Sequence, residues 1–178
     1  MEQKTSAGKV ILQFGALFGI VMVLEFVIGY VLNIDAQTNK TYGLVINVLN
    51  FLVLPFVFCL LGANTFKKSN NGFISIGESL KIGVGIGAFA SLIYGIFFAI
   101  FMNLFPEYIE EMFQKVQSIT IQQNPNMSAS QIETMVSLMK KMMNPAISIP
   151  LGVLMNSFIA LIHSLVVGLI VKKEPASF

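Results

Sequence analysis

Apolar residues in this chain gather into four long runs, at residues 10–33, 42–66, 80–105 and 146–171, separated by two short polar connections and one long one. A hydrocarbon core of roughly 30 Å is crossed by about 20 helical residues at ~1.5 Å rise each, and every run is long enough. No water meets the backbone there, so its N–H and C=O groups must pair with one another, which a helix achieves within a single segment. The pattern predicts an all-α integral membrane protein with four transmembrane helices, a single membrane domain over residues 1–178. The leader at 1–9 carries Lys4 and Lys9 and resembles the start of a signal peptide. The run behind it is longer than the roughly 7–15 residues of a signal's apolar region, and no small-x-small cleavage pattern follows, so it is counted as a span.

The connections differ in kind. Residues 34–41 and 67–79 read as brief turns, the second built on Lys67-Lys68-Ser69-Asn70-Asn71-Gly72. Residues 106–145 are too many for a structureless loop in a compact protein. There Ile109, Met112, Phe113, Val116 and Ile119 recur at helical spacing, with Glu107, Glu110, Glu111 and Lys115 opposite. Acids in the first turn suit the positive end of the helix dipole. The pattern breaks at Gln122-Gln123-Asn124-Pro125-Asn126. A second helix then starts at Ser128 or Ser130, since Ser128 with Gln131 and Ser130 with Glu133 both have capping-box spacing. Its apolar face is Ile132, Met135, Val136, Met139, Met142 and Met143, and it ends before Pro145. The segment is expected to be an amphipathic helical hairpin whose apolar stripe rests on the membrane surface, on the bundle or on a partner. Within the second run, Pro55 predicts a kink that frees a carbonyl near Phe51 or Leu52.

Composition agrees with the pattern. Hydrophobic residues make up 55% and charged residues 11%, with a mean hydropathy of +0.77, well outside the range of soluble domains. The net charge of +2 and the absence of arginine argue against a nucleic-acid surface, because lysine lacks the planar fork that grips phosphates. One cysteine, Cys59, excludes an internal disulfide. If the chain alternates across the bilayer, Lys4, Lys9, Lys67, Lys68, Lys81, Lys172 and Lys173 fall on one side. Lys40, Lys115, Lys140 and Lys141 fall on the other, offset by Asp35, Glu107, Glu110, Glu111 and Glu133. The positive-inside rule then places both termini and the 67–79 turn in the cytoplasm and the hairpin outside.

The stretch Lys67-Lys68-Ser69-Asn70-Asn71-Gly72-Phe73-Ile74-Ser75-Ile76-Gly77-Glu78-Ser79-Leu80-Lys81-Ile82-Gly83 resembles the signature turn of a bacterial four-span inner-membrane family of unknown function, domain of unknown function 4199, common in Bacteroidota. Pro106-Glu107-Tyr108 and Met139-Lys140-Lys141-Met142-Met143-Asn144-Pro145 are similar to that family's end of span three and its Met-Lys stretch before span four. The resemblance covers nearly the whole chain. It implies the inner, or cytoplasmic, membrane of a diderm bacterium and carries over no catalytic or binding residue.

Small residues mark helix faces. Gly83, Gly87, Ser91, Gly95 and Ala99 recur every fourth residue in the third run, as do Gly152, Asn156, Ala160, Ser164 and Gly168 in the fourth, while the first contributes Gly15 and Gly19. Lipid gives helices no hydrophobic reason to associate, so close backbone contact must supply it. These stripes are expected either to hold the bundle together or to form a homodimer seam. Polar residues inside the runs are the candidate site, since they are costly in lipid and tend to be functional. Glu25, Asn50, Tyr94 and Asn156 fall at a common depth, about 12–15 Å from one surface at ~1.5 Å per residue. Asn47 lies one turn from Asn50. They read as one inward cluster around a carboxyl that is either protonated or bonded to amide hydrogens. Its role is helix register, proton or cation handling, or lipid or ligand contact.

Other constellations point nowhere. His163 and Cys59 fall short of the four ligands zinc requires, and Met135, Met139 and Met142 read as an adaptable apolar face rather than a copper site. There is no histidine–carboxylate pair at useful spacing, no nucleophile beside a base, and Gly83-x-Gly85-x-Gly87 lies inside a span, so neither an enzyme nor a cofactor or metal is expected. The expected function is that of a structural or accessory subunit whose partners are the bilayer and another membrane protein or a second copy. The alternative is a small proton- or cation-coupled transporter or channel using Glu25, although four spans leave little room for two gates.

Overall fold

The computed structural model describes residues 6–34 and 39–175; Lys4 and Asp35, counted in the charge argument above, lie outside the described residues. The first helix, α1 (Ala7–Val31), starts at Ser6, whose Oγ accepts the Lys9 N–H. It ends where Asn33 adopts a left-handed conformation, with Ile34 N–H reaching back to the Gly29 carbonyl and Asn33 N–H to that of Tyr30. Next come α2 (Lys40–Val48), capped by the Asn39 side chain, a π turn over Leu49–Val53, and α3 (Leu54–Ser69). The same left-handed stop recurs at Asn71 and Gly72, where Gly72 N–H bonds the Lys67 carbonyl.

Helix α4 (Ile76–Leu104) begins four residues before the apolar run suggests. Ser75 and Glu78 form a reciprocal capping box there, Ser75 Oγ accepting Glu78 N–H and Glu78 Oε2 accepting Ser75 N–H. Then follow α5 (Pro106–Gln123), α6 (Ala129–Met142) and α7 (Pro145–Val171). Ser128 caps α6 in a capping box with Gln131, so of the two candidate starts it is the first that operates, and Ser130 lies inside the helix. Asn144 caps α7 by accepting the Ala146 N–H, and Pro150 sits inside α7, where it has no N–H to donate to the preceding turn.

Alpha1, α2 with α3, α4 and α7 are each long and apolar enough to cross a membrane. Only 17–28% of the most apolar stretch of each is buried, so leucines and isoleucines such as Leu24, Leu52, Leu154 and Leu169 face outward. In water that surface would be untenable; in hydrocarbon it is the surface that lipid chains solvate. The chain is an all-α membrane protein.

The structure divides into two compact units, residues 6–94 with 152–175 and residues 95–151. The first is held by close helix contact. A Cβ placed on Gly87 would come within 2.6 Å of the Ala160 Cβ and 2.9 Å of the Asn156 carbonyl oxygen, and one on Gly83 would run into Ser164. On another side, Gly15 meets Phe89 and the Ile86 carbonyl, Gly19 meets Ile93 and the Ala90 carbonyl, and Gly62 meets Ile86 and Ile82. Phe18 and Phe58 stack at 4.8 Å in the seam between α1 and α3. At one end the turn after α3 meets the tail after α7: Ile74 and Lys173 exchange both backbone hydrogen bonds, Lys67 Nζ donates to the Val171 carbonyl at 2.7 Å, and Ser79 Oγ donates to that of Ser164. In the second unit, α5 and α6 pack on each other, with Phe113 and Ile132 buried. Thr120 donates weakly to the Met135 sulfur and Lys140 stands over the Phe113 ring.

Overfilling a packed interior typically costs about 1–3 kcal/mol. Gly87→Val should therefore lose at least that much stability and lower the unfolding temperature in detergent. Gly77→Ala, at a position with nothing within 4 Å, should be neutral or slightly stabilising. Equal effects of the two changes on thermal unfolding would show that α4 does not rely on close approach.

Candidate functional site

The polar group inside the spans arises from a local break in helix geometry. Over Leu49–Val53 the hydrogen bonds widen, Leu54 N–H reaching the Leu49 carbonyl five residues back. Pro55 stands just beyond, in the first turn of α3, where its missing N–H costs little. Where a kink was expected, the helix has a π turn ahead of the proline. The extra residue in that turn resets the helix face. Asn47 and Asn50, three apart, would share a side of an uninterrupted helix, yet Asn47 is exposed and Asn50 is half-buried. Turned inward, Asn50 Nδ2 donates to Glu25 Oε2 on α1 at 2.8 Å.

Neighbouring positions of α1 make aromatic contacts. Phe26, next to Glu25, meets Tyr94 edge-on with ring centroids 6.5 Å apart. One turn along α1, Gly29 lies so close to the Tyr42 hydroxyl that a Cβ there would come within 2.8 Å of it. Tyr42 was not among the expected site residues. Its signal was its place at the start of the second run, a hydroxyl-bearing aromatic in the first turn of α2.

The expected five-residue layer does not form as one cluster. Asn156 belongs elsewhere: its Nδ2 donates to Ser91 Oγ at 3.3 Å and to the Gly152 carbonyl at 3.1 Å, bridging α7 and α4. Depth alone had grouped it with Glu25, and depth says nothing about direction around the helix. Tyr94 turns its ring to Phe26, and Asn47 faces out. His163 bonds the Ile159 carbonyl of its own helix at 2.8 Å, not a neighbouring helix, while Cys59 is buried where α3 meets Gly83 and the Ala160 carbonyl.

The glycines of the two stripes lie at helix contacts. Gly83 faces Ser164, Gly87 faces Ala160, Gly152 faces Ser91, and Gly168 faces Ser79. In the second unit, Gly95 faces Ile149. These glycines meet helices of the same chain.

In the hairpin, the expected docking stripe is partly consumed by the hairpin itself. Ile132 is buried, and Met135, Val136, Met139 and Met143 are half-buried, whereas Met142 is 53% exposed. Leu138, absent from the expected stripe, is 54% exposed and lies one turn before Met142. Between α5 and α6 runs an open groove of about 870 Å³. Ile121, Ile132 and Val136 line it, and Lys140, Lys141 and Asn144 stand at one end.

A family model described as "Protein of unknown function (DUF4199)" matches residues 13–173, and the chain belongs to that family. No curated protein and no solved structure matches it.

The Glu25–Asn50 bond makes a signed prediction. Glu25→Gln keeps an acceptor for the Asn50 amide and should leave stability nearly unchanged. Glu25→Leu strands that amide and should destabilise by about 0.6 kcal/mol, and by no more than ~1.7 kcal/mol, the range of hydrogen bonds between membrane helices. Unfolding in detergent of both variants, alone and with Asn50→Leu, measures the coupling. A gain in stability for Glu25→Leu would mean that the carboxyl is a cost borne in lipid and not part of a helix contact.

Proposed function

We propose that this protein is a non-enzymatic accessory subunit of the bacterial inner membrane, with both termini in the cytoplasm, which docks a partner membrane protein through its extracytoplasmic hairpin. The observation that carries this reading is the exposed pair Leu138 and Met142, one turn apart on α6, on a helix whose other apolar residues Ile132, Met135, Val136 and Met139 are buried or half-buried. An apolar ridge beside polar residues is typical of a docking surface. The glycine and serine faces of the spans do not compete for this role, because each already meets a helix of the same chain. The orientation is supported by the lysines at 67, 68, 81, 172 and 173, gathered at the ends of spans, where the positive-inside rule applies most strongly.

A second reading is favoured by the Glu25–Asn50 bond at the π turn. An ionisable group inside a span, bonded to an amide on a π turn of the neighbouring helix, is a setting suited to proton or cation handling. Under this reading Glu25 is the exchanging group of a small transporter or channel, and flux into liposomes should collapse in Glu25→Gln, a variant that the stability argument leaves folded.

For the docking reading, a photo-crosslinking residue at position 138 or 142 should capture one discrete membrane protein in cells, and the same residue at exposed position 114 should not. Leu138→Ser with Met142→Ser should release that partner in mild detergent without lowering the unfolding temperature. Recovery of a monodisperse monomer, with no adduct from either ridge position, would remove the reading.

A further inference from the structure

The groove between α5 and α6 has a floor and an end of different chemistry. Along its length Ile121, Ile132 and Val136 supply aliphatic surface, with Gln117 and Ser137 also in the lining. At the other end stand Lys140 and Lys141 in the last turn of α6, followed by Asn144. Among the described residues neither lysine forms an ion pair; Lys140 rests over the Phe113 ring, 5.3 Å from its centre, which leaves its ammonium free to meet an anion from the groove side. From Ile132 to Asn144 is twelve residues, so the groove runs about 18 Å at ~1.5 Å per residue. A volume of about 870 Å³ falls within the size of small-molecule sites and is short for a docked helix of several turns.

The position of the basic end identifies the occupant. Lys140 and Lys141 lie within one turn of Pro145, the first residue of the membrane-crossing α7. Lysines so placed sit at the level of lipid headgroups and attract anionic ones. We propose that this groove takes up an acyl chain of an anionic phospholipid from the adjoining leaflet, with the headgroup phosphate held by Lys140 and Lys141 and the chain laid over Ile121, Ile132 and Val136. An amphiphile with one charge and one long apolar tail matches the groove at both ends. Glu133, further along the wall, disfavours a second anionic group there and sets the direction in which the lipid lies. The inference does not rest on the docking ridge, since Leu138 and Met142 are not among the groove-lining residues.

The test uses the full chain in phosphatidylcholine nanodiscs doped with either phosphatidylglycerol or phosphatidylcholine carrying a diazirine on one acyl chain, with adducts mapped by peptide mass spectrometry. Phosphatidylglycerol should label residues 121–136 and phosphatidylcholine should label them far less. Each lysine near an anionic headgroup contributes about 1 kcal/mol, roughly fivefold in affinity. Lys140→Gln and Lys141→Gln should each lower hairpin labelling by about that factor, and their combination should bring it to the phosphatidylcholine level. Val136→Phe, which fills the groove, should abolish hairpin adducts while the spans stay labelled, and Ile121→Phe repeats the test from the other helix. Labelling confined to the spans, equal labelling by the two lipids, or hairpin adducts insensitive to both lysines would overturn the proposal. So would cellular capture of a polypeptide instead of lipid from position 136.

Discussion

Helices in hydrocarbon have no reason to leave lipid for one another except how closely they can touch, and α4 is built around that constraint. Its backbone comes against α7 at Gly83 and Gly87 and against α1 where Gly15 and Gly19 remove the opposing side chains. Dispersion falls steeply with separation, so a single methyl at the contact would undo several neighbouring contacts together. Hydrogen bonds that are weak in isolation become possible at this distance. Ser79 to the Ser164 carbonyl and Asn156 to Ser91 both bridge α4 and α7, and neither would reach if the glycines were larger. The polar features of the spans depend on the close approach, not the reverse.

The Glu25–Asn50 bond shows how one inserted residue changes what a helix presents. A regular helix through residues 40–69 would keep Asn47 and Asn50 on one side. The π turn separates them, and only Asn50 faces α1. Pro55 supports this arrangement because it cannot extend a regular ladder backwards across the turn. Geometry at that place therefore serves to aim an amide at a carboxyl in a medium where either group alone would be costly.

Much of this was legible in the residues, for identifiable reasons. The four spans follow from run length, and the hairpin from three- and four-residue spacing interrupted at Asn124-Pro125-Asn126. The Ser75–Glu78 capping box was equally legible, but an apolar-run criterion starts a helix at its first apolar block and passes over the polar turn before it. Direction around a helix was harder to read. Glu25, Asn50, Tyr94 and Asn156 share a depth, yet Asn156 points to Ser91 because it sits on the face that packs on α4. A π turn has no composition signature of its own, so the reversal of Asn47 and Asn50 was beyond a periodicity argument. The groove depends on the antiparallel seam of α5 and α6, and Leu138 stood outside the expected stripe because that stripe turned inward.

The bridge between Ile74 and Lys173 has a bearing on biosynthesis. Residue 74 leaves the ribosome about a hundred residues before its partner, and the contacts of Gly83 with Ser164 and of Gly168 with Ser79 span comparable lengths of chain. While the last span is still being made, the first three can insert but α4 has one flank without its permanent neighbour. That flank is lined with glycine and serine, small groups that a lipid chain or a chaperone can cover and then vacate without leaving an exposed apolar patch. The bundle closes on itself only once Lys173 reaches Ile74, so a change that blocks this one pairing deprives the bundle of its latch while leaving the apolar helices themselves untouched.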